Sequence, residues 1–161
     1  MQINKIILYS LKGKKRILPF NLGKVNIITG ESKSGKSALI EIVNYCLASS
    51  GCDIPEGIIR DTVSYFSVIV TFEDGESVFI ARENPNIRGI VSSTTVQLSR
   101  NIGDAIPELD DINSNLNIDT LKEFLTRKIG VSENLHIPDS LTREPLKANF
   151  KHSRFYCYQP Q

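Results

Sequence analysis

Gly30-Glu31-Ser32-Lys33-Ser34-Gly35-Lys36-Ser37 is the part of this chain whose residue types and spacing could do chemistry. It satisfies the pattern G-x-x-x-x-G-K-[ST] at every fixed position. Glycines at both ends let the backbone curl until successive N–H groups converge as an anion nest. A helix starting where the pattern ends would add the positive end of its dipole. Lys36 would then reach the β- and γ-phosphates of a nucleotide as a point charge, and the Ser37 hydroxyl would ligate Mg²⁺. The spacing specifies a phosphate site, with Gly30, Ser34, Gly35, Lys36 and Ser37 as its residues, and leaves the reaction open.

Strand, loop, helix is the order of elements that such a motif needs. Residues 25–29, Val-Asn-Ile-Ile-Thr, read as a short buried strand. Residues 37–47 read as a helix, with Leu39, Ile42, Val43, Cys46 and Leu47 at helical spacing and Ser49-Ser50-Gly51 as its stop. Upstream, residues 1–9 and 16–20 are strand-like around a basic turn. Downstream, residues 65–72 and 77–82 flank Glu73-Asp74-Gly75-Glu76 as a hairpin with Asp-Gly at its tip, and residues 89–98 add a further strand. Residues 101–117, rich in Asn, Asp and Ser, read as loop. Residues 119–128 read as an amphipathic helix on Leu121, Phe124, Leu125 and Ile129, ending at Gly130. Residues 136–153, with Pro138, Pro145 and many charges, read as a mobile excursion, and residues 154–158 as a last short strand.

Composition narrows the class. A chain of 161 residues with 40% apolar content can bury a core as one domain or as one lobe of a larger one. The formal charge of +1 announces neither nucleic acid nor a cation-binding tail. No apolar run is long enough to span a membrane, and the N-terminus lacks the apolar segment of a signal peptide. Three cysteines, Cys46, Cys52 and Cys157, are an odd count without framework spacing, which predicts reduced thiols in a cytoplasmic protein. His136 and His152 stand apart from any Cys pair, which argues against zinc.

The rest of a hydrolytic site is missing from the sequence. The acidic end of residues 68–74 imitates the metal-holding strand of phosphate-loop enzymes, but Asp74-Gly75 is a turn dipeptide followed by an alternating partner strand. Asp110-Asp111 follows Pro107-Glu108-Leu109 rather than an apolar strand. No D-x-x-G occurs, and the one Asn-Lys pair, Asn4-Lys5, has Ile7 where a guanine-reading Asp would stand, which disfavours a GTPase. The chain offers a phosphate clamp without an evident catalytic acid.

The order of elements resembles the N-terminal half of an ABC-type ATPase head of the SMC/RecN/RecF class. The resemblance rests on the opening strand Ile3-Asn4-Lys5-Ile6-Ile7-Leu8, the basic turn, Leu22-Gly23-Lys24-Val25-Asn26-Ile27-Ile28-Thr29-Gly30, and the antiparallel meander after the helix. Arg154-Phe155-Tyr156-Cys157-Tyr158-Gln159 looks like the strand that leads into that class's Q-loop. The narrower likeness is to bacterial SMC-like ATPases, some encoded in phage-defence systems. What the resemblance implies is an α/β phosphate-loop NTPase fold, a mixed sheet with an antiparallel β meander around the loop's helix. Residues 1–161 would form a single ATP-binding lobe of a larger head, with ATP and Mg²⁺ as cofactors. It gives Gln159, with Gln161 as alternative, the role of contacting Mg²⁺ and the attacking water. It gives a basic residue of the early turn an approach to the nucleotide: Arg16 first, with Lys12, Lys14 and Lys15 as alternatives. Lys33 stands where ABC loops carry glycine, and either brings a second cation to the phosphates or points to solvent.

In that class the Leu-Ser-Gly-Gly signature, absent here, lies in a C-terminal half with the metal-holding acid and the catalytic glutamate. ATP is hydrolysed between two heads. The expected partners are therefore the C-terminal half, a second head, and DNA or a defence effector, with this lobe inactive by itself. The rival reading is a complete small phosphate-loop kinase, with Arg143 and Lys147 on a lid. It requires a mainly parallel sheet with helices between the strands. A third reading is a nucleotide-sensing module that binds without hydrolysis.

Overall fold

The computed structural model describes residues 1–103, 105–131, 135–136 and 146–157. Its centre is a six-stranded sheet. β1 (Gln2–Ser10) hairpins into β2 (Lys15–Pro19) through the turn at residues 11–14. The next two helices are α1 (Lys36–Cys46) and α2 (Ile58–Thr62), and β3 (Val63–Thr71) follows them directly. β4 (Ser77–Glu83), β5 (Thr95–Arg100) and β6 (Leu116–Asn117) complete the sheet, in the order β2-β1-β3-β4-β5-β6, every neighbouring pair antiparallel.

Period-two alternation divides the sheet's residues between two layers. Ile6, Phe66, Val68, Val70, Val78, Ile80 and Val96 face one side, where Ala38, Ile42, Val43, Tyr45 and Cys46 of α1 pack on them. A bulge between Ile3 and Lys5 returns Ile3 to that same side. Ile7, Tyr9, Ile69, Phe79 and Ala81 face the other, under Ile102, Ile106, Leu109 and Ile112. The Asn- and Asp-rich stretch expected as plain loop is thus a cover for the second face. Tyr9 Oη donates to Pro107 O at 2.9 Å, and Lys15 Nζ meets Glu108 Oε1 at 2.5 Å. Burial, with Glu108 nearby, raises the Tyr9 hydroxyl's pKa, so it stays protonated.

The hairpin at residue 74 is a solvated turn. Gly75 sits at φ 82, where only glycine is unstrained, its N–H bonds Phe72 O at 3.0 Å, and Glu76 N–H bonds Asp74 Oδ1 at 3.1 Å. α3 (Ile118–Lys128), capped by Asn117 through Thr120 N–H at 2.8 Å, lays Lys128 across this turn. Lys128 pairs with both Asp74 and Glu76, and Arg100 pairs with Glu76. Hydrogen bonding to Lys128 lowers Asp74 from its ordinary 3.8, and hydrogen bonding to Arg100 and then Lys128 lowers Glu76 from 4.5. Carboxylates held below their ordinary values stabilise the fold above those values and lose that contribution as pH falls through the folded ones. Thermal melting of the parent is therefore expected to drop as pH falls below 4.5, with a shallower drop in Glu76→Gln. Parallel pH profiles for the two proteins would refute the assignment.

Three expectations need correction. Residues 25–29 form no strand: Val25 is 88% and Ile27 82% exposed, and no described strand lies beside them. A short apolar run becomes a buried strand only where neighbours take up its N–H and C=O groups, and here the sheet edge ends at β2. Residues 154–157 are not a strand either; they belong to α4 (Phe150–Cys157). Asn149 starts that helix, its Oδ1 accepting from Lys151 N–H at 3.0 Å while its own N–H donates to His152 Nδ1 at 3.2 Å. This box overrides the strand-like alternation of Phe155 to Tyr158. Over residues 150–153 the expected excursion gives way to the same helix, because Phe150 is buried in the core and its N–H bonds Thr126 Oγ1 at 2.9 Å; residues 137–145 lie outside the described residues. Without those two strands, the described six-stranded sheet is antiparallel throughout, where the resemblance implied a mixed one. β7 (Leu135–His136), at the excursion's start, pairs antiparallel with β8 (Leu146–Lys147) within it. Arg143, Gln159 and Gln161 lie outside the described residues.

Candidate phosphate-binding site

The loop between Gly30 and Gly35 is curled, not extended. Lys33 and Gly35 both take left-handed backbone angles, φ 63 and φ 86, and Ser34 N–H turns back to Glu31 O at 3.3 Å. Gly30 lies close against this curl: a Cβ there would sit 3.0 Å from Ser34 Oγ, which would have to turn aside to admit it. Gly35 is the N-cap of α1, so the helix begins at Lys36, immediately beyond the curl. α2 stands behind the cap, with Ile59 Cδ1 in contact distance of the Gly35 Cα face.

The start of α1 is open. No side chain caps it, and no acidic residue lies in its first turn. Its unpaired N–H groups and dipole therefore face solvent, the condition that favours an anion. Lys36 Nζ folds back over the curl, donating to Gly30 O at 2.8 Å and Glu31 O at 2.6 Å and lying 3.3 Å from Ser34 Oγ. The ammonium is thereby held at the mouth of the loop. Lys33, Ser34 and Ser37 are exposed beside it.

This donor set fits a phosphate: a curled loop with left-handed turns at Lys33 and Gly35, an uncapped helix start, and a positioned ammonium. For a metal the fit is narrower. Ser37 supplies one hydroxyl, and no group of acidic, His or Cys side chains among the described residues could hold an ion by itself. A divalent cation would enter with the nucleotide's own oxygens as ligands.

Among the described residues, the other sequence-derived candidates make no hydrogen bond or ion pair with the loop. Arg16 is exposed on β2 opposite Leu8, and no hydrogen bond or ion pair joins it to residues 30–37. Lys15 is engaged by Glu108 on the second face of the sheet. Asp74 is held by Lys128, and Asp111 N–H and carboxylate close a small box with Glu108. The C-terminal helix starts beside the far end of α1, where Lys151 Nζ lies 3.4 Å from Ser50 Oγ. α1 spans about 16 Å at the usual rise per residue, and the Lys151 contact is made beyond its C-terminal end, not at its start.

That far end of α1 holds the residue that sequence reading missed. Arg82 is fully buried. Its guanidinium donates to Tyr45 O in the last turn of α1 and, at 2.8 Å, to Ser49 O just beyond the helix. It also bonds Ser92 Oγ at 3.2 Å and Ser93 O, and lies 3.8 Å over the Tyr45 ring. Tyr45 Oη in turn donates to Glu83 O at 2.9 Å and accepts from Ser93 N–H at 3.2 Å. A cation at a helix C-terminus complements the dipole there. Burial pushes the neighbouring Cys46 thiol up to about 12, which makes it an inert core residue.

A family model described as an AAA domain, a domain found in SMC/RecF-like ABC-type ATPases, matches residues 2–161. No curated protein and no solved structure matches the chain. Among the described residues no helix is long and apolar enough to cross a membrane.

Proposed function

We infer that this chain, which belongs to the AAA-domain family found in SMC/RecF-like ABC-type ATPases, is the ATP-binding lobe of such an ATPase head. The family makes it a nucleotide-binding ATPase domain and brings ATP and Mg²⁺ as its usual cofactors. The observation that carries the finer reading is the curled loop 30–37 opening on the uncapped start of α1, with Lys36 poised across its mouth.

In this reading the bound nucleotide supplies the phosphates and carries Mg²⁺, and the protein's residues bind and orient them. Gly30 and Gly35 keep the curl open, the amides of residues 33–37 bind the phosphate oxygens, and Ser37 offers its hydroxyl to the metal. Lys36 exchanges carbonyl partners for phosphate ones. Gln159 and Arg16 enter as expectations from the resemblance to that class. Turnover then needs groups from a C-terminal half and a second head, and ATP-driven closure of heads would be coupled to DNA or a defence effector. The kinase reading gains no support from an antiparallel sheet.

The test is a titration of the labelled chain with Mg-ATP, following backbone amide shifts, together with an assay for phosphate release. Shifts centred on residues 33–37 with negligible release are expected. Shifts elsewhere would defeat the site, and robust turnover lost in Lys36→Ala would favour a self-sufficient enzyme over a lobe.

A further inference from the structure

The loop 30–37 carries three charged side chains, Glu31, Lys33 and Lys36, for a net charge of +1. Glu31 sets a carboxylate beside an anion site. Without Lys33 the loop would be neutral. Lys36 is already committed to the carbonyls of Gly30 and Glu31. Lys33 is exposed, with no hydrogen bond or ion pair to any described residue. Its φ of 63 lies in the left-handed region, which costs a side-chain-bearing residue what glycine would avoid. The loop therefore keeps a lysine at a position where its own backbone would be better served by glycine.

We propose that Lys33 is a second phosphate-binding cation and that it sets the preference of the site for a nucleoside triphosphate over the diphosphate. This rests on the nucleotide reading of the loop. The two lysines divide the work. Lys36, tethered inside the curl, serves the phosphates that sit in the nest. Lys33, exposed and without a hydrogen-bond or ion-pair partner among the described residues, can follow charge that extends beyond the nest. The third phosphate adds negative charge at the end of the chain, so a mobile outer cation contributes more to the triphosphate than to the diphosphate. It also offsets the repulsion of Glu31.

The experiment titrates Mg-ATP and Mg-ADP into the parent, Lys33→Gln, Lys33→Arg and Lys33→Gly, reading affinity from the loop amide shifts, with Lys36→Ala alongside. At the exposure of this loop, loss of one cation should weaken ATP by about fivefold and ADP by less than about twofold. Lys33→Arg should keep the parent ratio. Lys33→Gly separates charge from backbone: it relieves the left-handed strain, so a residue that only shaped the turn would leave affinity unchanged or improved. Parent-like ATP-to-ADP ratios in both Lys33→Gln and Lys33→Gly, with binding lost in Lys36→Ala, overturn the role of Lys33 alone. A parent without ATP-dependent shifts at the loop, or binding indifferent to Lys36→Ala, overturns the nucleotide reading and this role with it.

Discussion

Lys36→Ala is expected to lower affinity for Mg-ATP by about a hundredfold, the largest binding effect of any single change in this chain. Two losses combine. The ammonium that would contact phosphate oxygens disappears, and charge-assisted hydrogen bonds are worth about 1.5–3 kcal/mol each. The same ammonium also ties Gly30 O and Glu31 O across the loop, so the curl loses its internal brace before any ligand arrives. Stability should hardly move, because the loop is exposed and its bonds are outside the core; about 0.5 kcal/mol bounds the change. Amide-shift titration and urea denaturation measure the two quantities on one sample. Affinity within threefold of the parent would show that phosphate, if it binds, does so without the lysine. Loss of stability equal to the loss of binding would make Lys36 structural instead.

Arg82→Ala carries the largest expected effect on folding, about 3–5 kcal/mol of destabilisation by urea denaturation. The side chain fills space between Tyr45 and the residues 92–93 segment, and its removal leaves Tyr45 O, Ser49 O and Ser93 O without their donor. Arg82→Met tests which part matters, since it restores volume but not donors. It should recover less than half of the loss. Arg82→Lys keeps the charge yet cannot supply a planar fork to carbonyls on two segments, and should fall between them. A destabilisation under about 1 kcal/mol for Arg82→Ala would mean that water replaces the guanidinium at little cost. The consequence for function is positional: the same guanidinium that satisfies the end of α1 binds it to β4, so the loop at the other end starts from a fixed helix.

Most of what positions the loop was legible in the sequence for local reasons. The apolar spacing of Leu39 to Leu47, the Asp74-Gly75 turn between two alternating runs, and Leu121 with Leu125 each require only short-range patterns. What failed depends on neighbours. Whether Val-Asn-Ile-Ile-Thr becomes a strand is decided by the presence of a partner, and alternation from Phe155 onward was outweighed by the Asn149 and His152 box upstream. Arg82 had a signal that went unread: alternation along β4 places it on the face of Val78 and Ile80, beneath α1. A charged residue near a strand's end reads as solvated, and only the carbonyls waiting at the end of α1 make its burial favourable. At the site itself, the motif located the curl and the helix start, whereas the engagement of Lys15 by Glu108 follows from a loop packing across the sheet.

β1 and β3 pair directly although residues 11–62 intervene between them, so the loop and α1 hang on a connection that contributes no rung to their ladder. The loop can therefore rearrange without breaking a single inter-strand bond. In hydrogen–deuterium exchange this separates two populations of amides. Those of residues 22–29, exposed and outside any ladder, should exchange within seconds, while those shared by β1, β3 and β4 wait for global opening. A ligand seated in the curl would then appear as slowed exchange confined to residues 30–37 and the first turn of α1, with the strand amides unchanged. The intervening connection makes the site an element whose closing can be timed independently of the fold that carries it.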